Sequence, residues 1–257
     1  MRRHLLTGQQ RKPPGGTMIN WGHPLAPMLR IAFLFNEGKG ANVQNLVRPG
    51  LSTSGLTITD TTNITWSAGA SGLCLKDVAN AGASAATFSL AAAIASGSPF
   101  TIETRLRPTS LTDNFQALLT LGNGKGLYLR STGMLDLYTG SASVIVSTVA
   151  LPTAKWTHVV VTWQNSIART YLNGRLHFSG THAGVGSWSI NTLFNDASSE
   201  TYDGAMEYMR FWNRALAPSE AAELFVDPYG MFYPTGPLVR TPTAAAGSTF
   251  PALSLAW

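Results

Sequence analysis

The sequence predicts an all-β fold, an antiparallel two-sheet sandwich of the jelly-roll kind with one short helix near its C-terminal end. Three observations carry this. Short runs of strand-forming residues recur from residue 31 onward with few helical intervals. The run "SPFTIETRLRP" (98–108) alternates Phe100, Ile102, Thr104 and Leu106 with Thr101, Glu103, Arg105 and Arg107, the period of a half-buried strand. The nonapeptide "TYLNGRLHF" (170–178) joins two such runs through Asn173-Gly174, a dipeptide suited to a two-residue turn with positive φ at both central positions. A parallel α/β arrangement would need helical crossovers that the chain lacks, and no fixed-period repeat suggests a propeller or solenoid.

Taken in order, "RIAFLFNEGKG" reads as a strand closed by a glycine-containing turn, followed later by the 98–108 strand. "FQALLTLGNGKGLYLRSTGMLDLYTG" holds three strands separated by "GNGKG" and "STG". "KWTHVVVTWQN" and "ARTYLNGRLHFSG" add three more, and "GSWSINTLF" and "YDGAMEYMRFW" complete the series. The helix is "PSEAAELF" (218–225), with Pro218 at its first position and Glu220 and Glu223 toward the positive end of its dipole. Ala217 at its start cannot cap it, forgoing about 1 kcal/mol.

The chain has 257 residues, enough for one large β domain or two average ones. Only 12% of residues are charged, about half the usual share. The net charge of +5 arises at one end: residues 1–36 hold Arg2, Arg3, Arg11, Lys12 and Arg30 and no acid. Residues 1–17, ending in "KPPGG", are expected to be a basic flexible arm. Such an arm either contacts an acidic protein surface or nucleic acid, or stays a solvated tail. It lacks interleaved aromatics, so specific nucleic-acid recognition is not expected. Residues 18–30 form a connector that Trp21, Leu25, Met28 and Leu29 would pack onto the body. Residues 231–257, rich in Pro, Ala and Thr, are expected to be an extended arm. Its terminal Phe250, Leu253, Leu255 and Trp257 would dock on another subunit or a partner.

Cys74 is the single cysteine, set between Leu73 and Leu75, and reads as a buried inert thiol. No stretch approaches the ~18 apolar residues of a membrane helix. The start "MRRHLLTGQQ" has no apolar core for export, so synthesis in the cytoplasm is expected.

Five segments resemble the laminin G-like branch of the concanavalin A-like lectin/glucanase jelly rolls: "FLFNEGKG" (33–40), "FTIETRLRP" (100–108), "KWTHVVVTW" (155–163), "TYLNGRL" (170–176) and "GAMEYMRFWNRALAPSE" (204–220). The resemblance spans about residues 31–230. It implies that Trp156, Val160, Trp163, Tyr171 and Trp212 are core or core-edge residues, and Glu207 stands where an aspartate is common. "INWGHPLAPMLRIAFLFNEG" and "DPYGMFYP" further resemble laminin G-like proteins of tailed bacteriophages and prophages. The implied role is a non-enzymatic virion protein, a capsid decoration, head fibre or tail-associated protein. It would be held to major capsid or tail proteins by its arms, oligomeric with itself, and able to bind host-surface glycans. Lysis would release it, consistent with the missing export signal.

Fold relatives often hold calcium at the sandwich rim, which implies Asn195, Asp196 and Asp203 as hard oxygen ligands; no cofactor is otherwise required. Trp188, Tyr202 and Tyr138 are the aromatic candidates for a glycan. An extracellular carbohydrate-binding or adhesion module is the first alternative. A polysaccharide hydrolase using Glu200, Asp203 or Glu207 is the second, although Asp203 and Glu207, ~13 Å apart on a strand, exceed the ~5–5.5 Å of a retaining pair. His158 reads as structural, and His177 and His182 as solvent-facing loop residues. "GNGKG" lacks the Lys-Ser/Thr and helix of a phosphate loop.

Overall fold

The computed structural model describes residues 11–47, 55–77, 86–88, 95–120, 125–139, 143–184, 186–187, 192–195 and 200–233. Among these, every strand pairing is antiparallel, and two large sheets face one another. The first runs β14 (Arg175–Thr181), β13 (Ile167–Leu172), β12 (Thr157–Gln164), β8 (Phe100–Pro108), β16 (Gly204–Trp212), β6 (Leu73–Asp77) and β5 (Ile64–Ala68), with β2 (Leu29–Phe33) also on β16. The second runs β11 (Leu135–Tyr138), β10 (Gly126–Arg130), β9 (Phe115–Thr120), β15 (Thr192–Leu193), β7 (Ala86–Thr87), β4 (Leu56–Ile58) and β3 (Asn42–Val43). The jelly-roll sandwich expected from the strand pattern is the fold observed.

Alternation explains the core. Phe100, Ile102 and Leu106 of β8, Val159, Val161 and Trp163 of β12, and Phe211 of β16 point inward and meet Leu119, Leu127, Leu129, Leu135, Leu137 and Leu193 of the facing sheet. Each such buried side chain contributes about 1.5–3 kcal/mol. Phe100 stacks between Trp163 and Phe211, with ring centroids at 6.0 and 6.3 Å. In β16 the register against β8 slips between Met206 and Tyr208, which makes Glu207 the extra residue of a bulge. Met206 and Met209, three positions apart, therefore both reach the core. The bulge leaves Glu207 on the outer face.

That outer face is largely covered by the chain itself. β1 (Met18–Ile19) pairs with β17 (Phe232–Tyr233), and Ile19, Leu25, Leu29, Leu216, Leu224, Met231 and Phe232 pack over Tyr208 and Trp212. The Trp212 indole donates to Leu25 O at 2.7 Å. Of the four connector residues expected to pack, Leu25 and Leu29 are buried, whereas Trp21 and Met28 are exposed. They lie in turns, and Met28 has φ 63°, so neither side chain follows the buried side of its segment.

The helix α1 (Pro218–Val226) ends one residue later than expected. Glu220 Oε2 accepts the Ala217 N–H at 2.7 Å, the half of a capping box that needs no side chain from Ala217. Arg214 clamps the same carboxylate with two bonds of 2.8 Å. Burial opposes ionisation of Glu220, but the Arg214 and Ala217 bonds outweigh it and hold its carboxyl below the usual range.

Because of this covering layer, the polar side of the 98–108 strand is not uniformly solvated. Glu103 is fully buried and accepts from Arg210 Nη2 at 2.7 Å and pairs with His158 Nε2 at 3.0 Å. Arg210 also donates to Pro228 O at 2.7 Å. Arg105 and Arg107, beyond the cover, keep partial exposure.

Candidate functional site

The second sheet offers the contrasting surface. Its inward residues fill the core, and its outward residues stand in register across seven strands: Tyr138 opposite Gly126, Gly126 opposite Thr120, then Thr192, Thr87, Thr57 and Asn42. Tyr138 and Thr192 are half-buried and Thr120 and Gly126 are buried, while Thr87, Thr57 and Asn42 are exposed. No described segment packs a hydrophobic layer over this row, unlike the outer face of the other sheet. Hydroxyls both donate and accept, so the exposed end of the row, Thr87 and Thr57 with Asn42, suits a ligand rich in hydroxyl groups, whereas the Thr120 hydroxyl is spent on Asn195 O. Gly126 is required where it stands: a Cβ there would lie 2.3 Å from Leu119 O.

Beside the row is an aromatic and charged cluster set by the β9–β10–β11 pairings. Phe115 meets Tyr128 edge-on at 5.9 Å, and Tyr128 meets Tyr138 edge-on at 6.2 Å. The Arg130 guanidinium lies 4.1 Å over the Phe115 ring, and its Nε donates to Asp136 Oδ2 at 2.8 Å. Asp136 is fully buried and also accepts from Ser143 Oγ and the Val144 N–H. The result is a polar-rimmed aromatic platform in which Tyr128 is buried and Phe115, under the Arg130 guanidinium, and Tyr138 are half-buried.

The residues singled out from sequence fall unevenly. Tyr138 belongs to this platform. Tyr202 does not: it is fully buried, stacked on Phe194 at 6.0 Å, and burial pushes its phenol well up. It is a core residue, because Tyr202 precedes β16 at the closed end of the sandwich. Trp188 and Asp196 lie outside the described residues. Asn195 is buried, and its carbonyl accepts from Thr120 Oγ1 at 3.4 Å. Asp203 accepts from Ser110 Oγ at 2.5 Å. Among the described residues no three of His, Cys, Asp and Glu gather as a metal site.

Lys12 corrects the picture of a wholly free basic arm. Its ammonium is buried, donating to Phe35 O at 3.4 Å, Glu207 O at 2.6 Å and Leu73 O. β2 and β6 abut along one edge of β16, and the carbonyls at their junction have Lys12 as a donor. Lys12 is therefore an internal strut, not a contact for a partner. Arg11 is exposed. Arg2, Arg3, Phe250, Leu253, Leu255, Trp257 and most of "GNGKG" lie outside the described residues.

The acids considered for hydrolysis lie in different settings. Glu207 is fully buried and locked by Arg105 at 3.1 Å and the Ser71 N–H at 2.6 Å. The bulge and covering layer place it inside, not at a rim. Asp203 is held by Ser110, and Glu200 is half-buried. His158 is structural, as expected. His182, expected in solvent, is buried: its Nδ1 accepts from the Gly184 N–H and its Nε2 donates to Leu137 O at 2.9 Å. Burial raises the Cys74 thiol, despite nearby Lys12, so it stays protonated and inert.

The described residues form an antiparallel two-sheet sandwich with one outer face covered by the chain's own segments and a partly exposed hydroxyl row on the other. The family model described as Concanavalin A-like lectin/glucanases superfamily matches residues 80–222, more than half of the chain. The chain belongs to that superfamily. Among solved structures it is similar to domain 4 of AbnA, an extracellular GH43 arabinanase from Geobacillus stearothermophilus, in complex with arabinotriose. That match has a TM-score of 0.60 and 20% identity and covers 76% of this chain and 97% of that domain. The binding domain of Paraclostridial Mosquitocidal Protein 1 matches with a TM-score of 0.58 and 18% identity, covering 77% and 51%. Trypanosoma rangeli sialidase in complex with the inhibitor DANA matches at 0.57 and 16%, covering 78% and 33%. The chain thus spans about half of the second structure and a third of the third. At these identities the likeness is one of fold. No curated protein matches the sequence significantly.

Proposed function

We propose that the chain is a non-enzymatic binding and structural protein of a phage virion, presenting the open sheet face to host-surface glycans. The observation that carries this reading is the unequal treatment of the two sheet faces. The eight-stranded sheet is covered by segments next to the chain's ends, and Met18 pairs with Tyr233 there, so the C-terminal arm sets out from the side opposite the Tyr138 platform. Attachment and presentation then occupy opposite sides of the sandwich. The covering segments, residues 18–34 and 227–233, overlap the stretches 19–38 and 227–234 that resemble phage laminin G-like proteins.

In this reading the body comprises residues 31–230, with residues 1–17 and 231–257 as attachment arms joined through the 18–30 connector. The partners are major capsid or tail proteins and further copies of the chain, and assembly takes place in the host cytoplasm. No cofactor is required; a calcium ion at the rim would take its oxygen ligands from Asn195, Asp196 and Asp203. Two measurements test the reading: copurification with intact particles, and a glycan array comparing the wild type with Tyr138→Ala. Particle association with array signals lost in Tyr138→Ala is expected. Absence from particles would overturn the virion role, and an unchanged array would overturn the site. An extracellular carbohydrate-binding module is favoured by the likeness to an arabinanase domain bound to arabinotriose, and it predicts export and glycan affinity without particle association.

A further inference from the structure

We infer that the open edge of β14 receives residues 250–257 of a second copy of the chain as an added strand, an inference that rests on the arm-mediated assembly proposed above. β14 is the outermost strand of its sheet. A bulge at His177 and the Thr148 hydroxyl, which donates to His177 O at 2.6 Å, close its hairpin end. Beyond them Phe178–Thr181 pairs with β13 on one side and, among the described residues, has no backbone partner on the other. From Leu176 to Thr181 the strand carries no lysine, arginine, acid or proline, the residues that usually blunt an exposed edge.

The flank of this edge is apolar. Leu176 stands opposite Tyr171, which clusters with Val160 and with Ala221 of α1, so Leu176 lies on the outer face beside that helix. Phe225, near the end of α1, reaches the hairpin turn: its Cβ would lie 2.9 Å from a Cβ on Gly174. Leu176, Phe225 and Val226 are all exposed. Large apolar side chains that gather beside a free strand edge mark a docking strip, whereas single scattered ones do not.

The segment that fits this strip is "FPALSLAW" (250–257). Leu253, Leu255 and Trp257 alternate with Ser254 and Ala256, the period of a strand with one apolar face, and no side chain in the segment is charged. Strand addition would satisfy the edge's backbone groups and set the apolar face against Leu176, Phe225 and Val226. A second copy is the donor because the spacer suits a long reach. Phe232 shares a cluster with Leu224 of α1, and α1 packs on β14, so a chain's own edge lies about one helix width, ~10 Å, from where its arm departs. Pro234, Pro237 and Pro242 favour an extended spacer between Tyr233 and Phe250, roughly 50 Å long at about 3 Å per residue, which overshoots that distance. A domain of about 200 residues has a radius of gyration of about 16 Å, so the same spacer crosses to a neighbour. Such head-to-tail docking repeats from copy to copy.

The test is complementation between two full-length variants, read by sedimentation velocity at matched concentrations. Leu253→Asp/Leu255→Asp disables the arm and keeps the edge. Leu176→Asp/Val226→Asp disables the edge at exposed positions and keeps the arm. The wild type should sediment as a multimer, and each variant alone as a monomer, its association weakened at least about tenfold. Their equimolar mixture should give a heterodimer that grows no further. A peptide of residues 249–257 should dissolve the wild-type multimer, a readout that depends on no variant's folding, and the same peptide with both aspartates should not. A monomeric wild type, self-assembly retained by either variant, a mixture without heterodimer or a multimer untouched by the peptide would overturn the inference. Copurification of the wild type with particles reads the virion role separately, so either reading can fall without the other.

Discussion

The Lys12 ammonium donates to the backbone carbonyl of Glu207 at 2.6 Å, joining residues 195 positions apart in sequence. One surface lysine, by its appearance in the sequence, thus closes the seam where β2 and β6 meet along β16. Desolvation lowers the Lys12 pKa from 10.5 to about 8. Glu207, Cys74 and Glu37 act against this lowering, while Arg105 reinforces it.

The sign of the resulting pH dependence follows from linkage. Below pH 8 both folded and unfolded chains hold the proton, and the folded chain bears the full cost of burying the charge. Between about pH 8 and 10.5 the unfolded chain keeps the proton while the folded one releases it, so Lys12 makes stability rise with pH, by about 3 kcal/mol at most. Burial raises the phenols of Tyr202 and Tyr208 well above their ordinary value, so stability falls once unfolded tyrosines ionise above pH 10. Urea unfolding at half-unit steps from pH 7.5 to 9.5 should show a rise in the wild type that Lys12→Met lacks. Parallel curves for the two proteins would refute this assignment.

Removing the Glu103 carboxylate leaves the buried Arg210 and His158 without their acid. Glu103→Ala should therefore cost about 3–5 kcal/mol. Chemical denaturation measures this directly, and a loss below 1 kcal/mol would mean that the cluster is hydrated in solution.

Asp136 ties Arg130, Ser143 and the Val144 N–H together behind the aromatic platform. Asp136→Ala should lower stability by about 3 kcal/mol, because three donors lose their acceptor. It should also weaken glycan binding through Tyr138, which the same array comparison reads out.

Gly174, at φ +75°, completes the turn that Asn173 begins at φ +50°, and a Cβ on it would lie 2.9 Å from Phe225 Cβ. Gly174→Ala should cost about 1–2 kcal/mol through the left-handed backbone alone, with a further loss where α1 is pushed from the hairpin. Thermal melts of Gly174→Ala against wild type and of Phe225→Gly/Gly174→Ala against Phe225→Gly separate the two contributions: in the second background, which lacks the Phe225 Cβ, the loss should fall to the backbone part alone.

Much of the scaffold was legible because its signals are local. The 98–108, 157–164 and 204–212 strands show in their alternation or continuous apolar runs, the Asn173-Gly174 hairpin in its turn chemistry, and α1 in Pro218 and its early acids. The three shortest strands between residues 42 and 87 were not, because "NV", "LTI" and "AT" are too short to display a period among Gly, Ser, Ala and Thr. At the candidate site Tyr138 was recognisable as an aromatic on a strand. The Arg130–Asp136 pair was within reach too, since the "STG" turn sets the pairing of β10 with β11. The hydroxyl row could not be found, because its members come from seven separate strands and only long-range register aligns them.

By itself the sequence determined an antiparallel sandwich, its principal hairpin, its helix and its inward-facing aromatic core, since each depends on side-chain period or on the φ preferences of two or three adjacent residues. Only the tertiary structure decided which polar residues are buried. Glu103, Lys12, His182 and Tyr202 read as surface or rim groups until distant segments fold over them. Burial is a property of what lies above a residue, and that cover comes from positions up to 195 residues away.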